Sequence, residues 1–516
     1  MLPHPSPETP TGLTRRRRLV VFCFLMMALL MATLDNMIVS TALPTIVSEF
    51  GSIERFGWVG AGYLLAQSAI MPVYGKLGDL FGRKYVMMFA VALFVVGSLA
   101  CGMAWSMDSL IAARVLQGLG GGGLMVSIFS INADLFEPRE RATYQSFSSL
   151  VLMASGSIGP TLGGTMSQMF GWRSIFLINL PIGIVVLIAL FVLLENRRPQ
   201  RQPRIDFAGA ATLALAIGAT VLWADGSQLF GGLFGATGLG VLALAVVSAV
   251  LWVRIERRAP EPVVPLRLFA DPTFPLLLVV ALASGGVAIG LVNFHGLFLQ
   301  MTTGLSPAHA GLFFIAVTGG IAAGSLSAGR VVARTGRYKP VLVAGLCLSV
   351  GMLLMLSQMH AGTPLWLVAV AFAGQGLAVG MGQQAPVIGV QLAAPQRDIG
   401  AATGAVTLCR MAGASLAISV FGAIISARLA GSDIVVPGVA EPAGIAPDLL
   451  ATLPESSRAA VGLLFSDAFT WLYMAAAGVA AIGLVAALML RPVLMPVHGA
   501  AVAPPRPAGN CPHPAE

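Results

Sequence analysis

Three charged residues, Asp35, Arg114 and Arg410, lie inside long apolar runs of this chain. A charge buried in hydrocarbon is costly, so such residues pair, face a water-filled path or hold a ligand. The chemistry open to them is reversible rather than covalent. A buried carboxylate can take up and return a proton, and a guanidinium, which stays charged, can balance it in one arrangement and abandon it in another. A second group is Gly75-Lys76-Leu77-Gly78-Asp79-Leu80-Phe81-Gly82-Arg83-Lys84, three cations, one carboxylate and three glycines between two apolar stretches. Its glycines let two helix ends approach closely, and its cations fix the side it faces. The five cysteines, Cys23, Cys101, Cys347, Cys409 and Cys511, show no CxxC or His/Cys ligand spacing, so neither a metal nor a disulfide framework is expected. There is no Walker loop, His/Glu metal cluster or Ser/His arrangement, so no enzyme chemistry, nucleotide or cofactor is expected.

The elements that must position these residues are membrane spans. Charged residues make up 10% of the chain and the mean hydropathy is +0.86, whereas a soluble domain carries about 25% charged residues. This is the composition of an all-α polytopic membrane protein. Apolar runs predict about fourteen spans: 19–43, 56–75, 85–104, 109–131, 143–166, 173–194, 207–224, 234–253, 274–298, 310–329, 340–358, 365–388, 401–426 and 468–490. With the N-terminus inside, 24 of the 30 Lys and Arg fall in inside segments, four fall outside (Arg55, Arg173, Arg428, Arg458), and Arg114 and Arg410 remain within spans. That bias explains the net charge of +8 without nucleic acid. It places both termini in the cytoplasm and the protein in the plasma membrane, the inner membrane of a Gram-negative cell. The first span follows Arg15-Arg16-Arg17-Arg18 and is read as uncleaved. The Pro/Ala-rich tail, 491–516, is read as disordered.

Counting along the helices fixes depth. Asp35 lies about 16 residues into the first span, roughly 24 Å from the inner face, and Arg114 roughly 8 Å below the outer face. In a core of about 30 Å these depths match, so the two either pair or snorkel separately to water. Arg410 lies roughly 15 Å deep, near the midplane, with no carboxylate in the spans of its half. Its partner is then backbone carbonyls, a glutamine such as Gln383 or Gln384, or an anionic part of a substrate. Tyr63, Gln67, Gln117, His295, Gln300 and Gln383 are candidate cavity liners, or plain packing. The chain also repeats itself. Gly329-Arg330-Val331-Val332-Ala333-Arg334-Thr335-Gly336-Arg337 echoes the first loop 254 positions on, and Gln117-Gly118-Leu119-Gly120 recurs as Gln375-Gly376-Leu377-Ala378 after 258. A duplicated six-span unit follows: a cytoplasmic segment 1–18, one bundle at 19–194, an inserted helix pair with its linkers at 195–272, a second bundle at 273–490, and the tail.

Gly75-x-Leu77-x-Asp79-x-x-Gly82-Arg83-Lys84 resembles the signature loop of the major facilitator superfamily, with Leu80 where the family has a basic residue. The resemblance implies a cytoplasmic latch in which Asp79 meets a helix N-terminus or an Arg. Leu34-Asp35-Asn36-x-Ile38-Val39-x-x-Ala42-Leu43-Pro44 resembles the first-span motif of the fourteen-span drug:proton antiporters (EmrB/QacA type). Arg114-x-x-Gln117-Gly118-x-Gly120-Gly121-Gly122 resembles the superfamily's fourth-span motif, whose Arg is implicated in proton transfer. Gly159-Pro160-x-x-Gly163-Gly164 resembles the antiporter motif, which implies export. Gly171-Trp172-Arg173-x-x-Phe176-x-x-Asn179-x-Pro181-x-Gly183 and Asp206-x-x-Gly209 resemble the same subfamily. The implied function is proton-coupled export of amphiphilic small molecules by alternating access, with the lipid bilayer as solvent. An envelope-spanning adaptor is a candidate partner. The rival readings are an importer of a small metabolite on the same fold and a non-transporting membrane receptor.

Overall fold

The computed structural model describes residues 14–50, 56–195, 206–224, 235–260, 262–305, 307–430 and 454–492. The cations Arg197, Arg198, Arg201 and Arg204, most of the Pro-rich stretch 427–467 and nearly all of the tail lie outside these residues. Every regular element among the described residues is helical. The first half comprises α1 (Arg15–Phe50), α2 (Phe56–Phe81), α3 (Arg83–Gly102), α4 (Met107–Leu135), α5 (Pro138–Phe170), α6 (Ser174–Leu177) and α7 (Asn179–Leu193). Then come α8 (Phe207–Ala224) and α9 (Ala236–Glu256). The second half comprises α10 (Thr273–Ala288), α11 (Val292–Thr303), α12 (Pro307–Thr335), α13 (Lys339–Ser357), α14 (Leu365–Gly382), α15 (Ala385–Ala393), α16 (Ile399–Ala430) and α17 (Glu455–Met489). Ten described helical stretches are long and apolar enough to cross a membrane, and Phe207–Trp223 and Thr273–Ala288 are shorter apolar helices.

Three predicted spans are broken helices. The run 173–194 divides at Ile178, 274–298 at Ile289–Gly290–Leu291, and 365–388 at Gln383–Gln384. Proline accounts for two of these breaks. Pro181 and Pro386 have no N–H to give the carbonyl four residues back, so the helix interrupts there. At the third, the Gly290 N–H bonds the Gly285 carbonyl, a widened turn in a glycine-rich stretch.

Matching glycine contacts recur at the same offset in the two halves of the chain. A Cβ on Gly118 would stand 2.4 Å from the Tyr63 carbonyl oxygen, and one on Gly376 would stand 2.1 Å from that of Val317. Gly122 meets the Gln67 carbonyl in the same way, and Gly380 that of Ile321. Each half therefore uses one glycine ladder to seat one helix on another, an arrangement a larger residue would break. The two related loops each turn on a positive-φ glycine, Gly82 (91°) and Gly336 (67°).

The two halves meet through α2 with α16 and through α5 with α12, while α8 packs on α9, α2 and α16. The α8–α9 pair thus sits at the seam between the halves. Beyond α9, Arg267 forks onto Asp398 just before α16, at 3.0 and 2.8 Å. Cations gather at this end. Arg17 bonds the Leu193 carbonyl, Arg18 that of Leu135, Lys84 that of Phe191 and Lys339 that of Leu488. At the opposite end Arg173 pairs with Glu49 at 2.8 Å.

Candidate functional site

The structure brings Asp35 of α1 and Arg114 of α4 into contact, with Arg114 Nη1 donating to Asp35 Oδ2 at 2.6 Å. Both side chains are fully buried. Arg114 also donates from Nη1 to Gln117 Oε1 (2.6 Å) and from Nε to the Val59 carbonyl (3.2 Å). Asp35 Oδ1 accepts from Gln117 Nε2 and from Asn179 Nδ2, each at 2.8 Å. Both amides also donate to Ser98 Oγ, at 2.7 and 3.2 Å. The Tyr63 ring covers the guanidinium at 4.3 Å, and the Tyr63 hydroxyl donates to the Ala32 carbonyl. Helices α1, α2, α3, α4 and α7 therefore converge on one carboxylate.

An ionised carboxylate only accepts, and here it accepts three donors; a protonated one would carry an O–H of its own facing them. Protonation accordingly requires at least one donor to withdraw. Arg114 Nη2 has no partner among the described residues, so this guanidinium has a free donor with which to exchange partners.

Neither Asn179 nor Ser98 was assigned a role from sequence. The signal for Asn179 was its polarity within the stretch Ser174–Leu193, whose mean hydropathy is 2.9. Ser98 gave none, because a serine in a span commonly bonds its own backbone.

The remaining candidates are dispersed. Gln67 is buried on α2, its carbonyl against Gly122. His295 is packed into the second half, its Nδ1 3.1 Å from the Tyr473 hydroxyl and its ring against Phe372. Gln300 donates to the Gly296 carbonyl on its own helix. Gln383 is buried at the α14–α15 break, and Gln384 beside it donates to Ser149 of α5 at 3.0 Å. Arg410 is buried over the Phe129 ring at 5.5 Å, with Nε and Nη1 lacking partners among the described residues. These residues do not form one site.

The loop residues do form a contact between the halves. Asp79 Oδ1 accepts the Gly400 N–H and Oδ2 the Ala401 N–H, both at 3.1 Å, at the N-terminus of α16. A carboxylate is stabilised at such a dipole end. Arg83 ties Asp79 (3.2 Å) to Asp134 (2.6 Å). A Cβ on Gly75 would fall 2.2 Å from the Gly400 oxygen. Further cross-half bonds cluster here, from Arg141 and Gln145 to Gln391 Oε1 and from Gln391 to the Phe129 carbonyl. In the span-5 motif, α5 runs without interruption through Pro160. A Cβ on Gly159 would stand 2.5 Å from Met37 Cβ of α1, whereas one on Gly164 would meet nothing within 4 Å.

Residues 25–418 match the family described as Major Facilitator Superfamily. The chain belongs to the major facilitator superfamily. It is a multi-pass membrane transporter of a small-molecule substrate, in a family of transporters rather than enzymes. An uncharacterized MFS-type transporter of Mycobacterium tuberculosis is 34% identical over 93% of this chain and 71% of its own length. Multidrug resistance protein 3 of Bacillus subtilis is 31% identical over 78% of each chain. Multidrug resistance protein Stp of M. tuberculosis is 32% identical over 79% of this chain and 75% of its own. Two solved structures share the fold at 15% identity. The proton:xylose symporter XylE has a TM-score of 0.60 over 93% of this chain and 97% of its own. The human organic anion transporter MFSD10 has a TM-score of 0.56 over 92% and 100%.

In this transporter the Asp79 contact carries a pH dependence. Burial between the halves raises its carboxyl to about 6, against the lowering pull of Arg83 and the Ala401 and Gly400 amides. Released into water, the same group titrates near 3.9. The docked state binds the proton more tightly, so docking is strengthened below about pH 4 and that gain is lost as pH rises through about 6. Spin labels at Tyr85 and Arg337, one on each half, should show more of the short distance at about pH 5 than at about pH 7. In Asp79→Asn that response should vanish and transport should fall; an unchanged response would assign it to another group.

Proposed function

We propose that this chain is a proton-coupled exporter of amphiphilic small molecules, of the fourteen-span drug:proton antiporter type. The observation that carries the reading is the buried Asp35 carboxylate, held by Arg114, Gln117 and Asn179. It supplies a proton-binding group whose partners lie on separate helices, so a shift of those helices changes its readiness to be protonated. The multidrug names of its relatives support drug as cargo, and the Gly159-Pro160-x-x-Gly163-Gly164 motif supports export.

On this reading the cation-rich end is cytoplasmic and both termini lie there. Bundles 19–194 and 273–490 rock about the substrate, with 195–272 inserted between them. The Asp79 contact closes the cytoplasmic side, which makes this arrangement the outward-facing one. Substrate then enters from the inside only after Asp79 leaves α16. Cysteines replacing Phe81 and Arg337 should label with impermeant reagent only from the cytoplasm, and those replacing Trp105 and His360 only from outside. Labelling of position 337 from outside would mean that the inserted pair does not span.

The shared fold with a proton:xylose symporter leaves direction to experiment. In inverted vesicles energised by a proton gradient, a fluorescent amphiphile should accumulate and leave again on addition of a protonophore. Accumulation only in right-side-out vesicles would make the protein an importer.

A further inference from the structure

Arg410 has no acid to balance it. It is buried on α16, its Nε and Nη1 have no hydrogen-bond partner among the described residues, and its guanidinium lies over the Phe129 ring of α4. Two buried acids of the bundles, Asp35 and Asp398, are committed elsewhere, to Arg114 and Arg267. Arginine does not escape burial by losing its proton, so an uncompensated guanidinium here is a standing cost. A Phe face offsets only part of it.

The surroundings share its depth. Counted from the Asp79 end at the helical rise, Arg410 lies about 16 Å in, Ser149 of α5 and Ser284 of α10 about 16 Å, and Gln384 about 14 Å. These groups come from four helices of both halves, at the middle of a core of about 30 Å. Gln384 joins the halves through Ser149, yet among the described residues its Oε1 has no partner, nor has Ser284 Oγ. Gln384 stands at the break between α14 and α15, where backbone groups are freed as they are in broken-helix binding sites. The Arg410 side chain leans toward the N-terminus of α16, which brings it from mid-depth down onto Phe129. A charged donor with free N–H groups and an aromatic face thus lie together between the halves, on α16 and α4, with the unpaired Gln384 and Ser284 oxygens at the depth of the Arg410 backbone.

We propose that Arg410 is the substrate-recognition cation, and that the substrate class is amphiphilic acids: a carboxylate or comparable monoanion on an apolar, ring-containing body. The anion takes a charge-assisted hydrogen bond from a free Arg410 donor, Nε or Nη1, and the ring body lies on Phe129. This rests on the exporter reading above and narrows it. The proton group and the anion group are separate, one in each half, so the substrate need not displace Arg114 directly. If one proton enters for each monoanion that leaves, two charges move in the same electrical sense, and an inside-negative potential drives export.

The test uses the full-length protein in nanodiscs with three probes on one ring: naphthoate, naphthamide and naphthylmethylammonium. By equilibrium dialysis the wild type should bind naphthoate about tenfold or more tighter than the amide, with the ammonium weakest. Arg410→Gln should abolish that preference and Arg410→Lys should keep part of it, while thermal unfolding midpoints report whether each variant is folded. Equal wild-type affinity for the three, binding of none at millimolar concentration, or a preference that survives Arg410→Gln overturns the proposal. Should Arg410→Gln not fold, the wild-type ranking and Arg410→Lys decide. An Arg410-dependent preference for naphthoate without naphthoate-evoked proton movement in proteoliposomes would sink the exporter reading and leave the anion site standing.

Discussion

Replacing Asp35 with Asn should abolish the proposed uphill, proton-driven export while leaving the protein folded. The amide preserves shape and one oxygen, so the variant can still accept from Arg114 or Gln117, but it cannot exchange a proton. The residual damage is to Arg114, a fully buried cation left without its counter-ion. Removing one partner of such a pair destabilises by about 3–5 kcal/mol when nothing replaces it, and the retained oxygen reduces that. Arg114→Ala should be worse in both respects, because it strands the carboxylate and empties the space under Tyr63. Arg114→Lys should rescue little. Arg114 reaches Asp35, Gln117 and the Val59 carbonyl from two nitrogens and lies flat on the Tyr63 ring. A point charge on a flexible stem cannot repeat that fork. Export measured against a proton gradient, alongside thermal unfolding midpoints, separates loss of coupling from loss of fold. A Lys variant with near-normal export would show that only charge matters at this position.

A side chain at Gly75 should have an effect of similar size by another route. The backbones of α2 and α16 touch there, and a Cβ would lie 2.2 Å from the Gly400 oxygen and 2.7 Å from its carbonyl carbon. Backbone cannot yield as a flexible side chain does, so Gly75→Val must part the two helices. That parting carries Asp79 off the Gly400 and Ala401 amides. Transport should drop about tenfold or more, the cost of one charge-assisted pair being of the order of 1.5–3 kcal/mol or above. The Asp79 end should stand open in distance measurements, and Gly78→Ala, whose added methyl would meet only an Arg83 side-chain carbon at 3.6 Å, should be mild by comparison. Equal effects at positions 75 and 78 would argue against backbone contact as the closing element.

The sequence made the depth match of Asp35 and Arg114 legible, because helical rise converts residue counts into height. The same arithmetic exposed the repeat, and the glycine ladders at Gly118 and Gly376 follow it. Lateral position was not legible. Nothing in a single chain says that Asn179 turns toward Asp35 or that His295 turns into the core against Tyr473, since residue counts give height along a helix and not the side a residue faces. The helix breaks at Ile289–Leu291 and Gln383–Gln384 were read as continuous spans because hydropathy averages over them, although Pro386 carries the signal for one. The Gly75–Gly400 contact joins residues over three hundred positions apart, and only packing reveals why a glycine stands at each. The seat of α8 beside α2 and α16 was equally hidden, since an inserted pair shows no internal repeat to align it.

Asp35 is the proposed carrier of the coupling proton, and proteoliposomes loaded with a pH indicator test this directly. Addition of a transported amphiphile to wild-type protein should evoke proton movement across the membrane, and Asp35→Asn should evoke none while still binding the amphiphile. Undiminished amphiphile-evoked proton movement in Asp35→Asn would contradict the account and send the search for the proton carrier to Asp79 or His295.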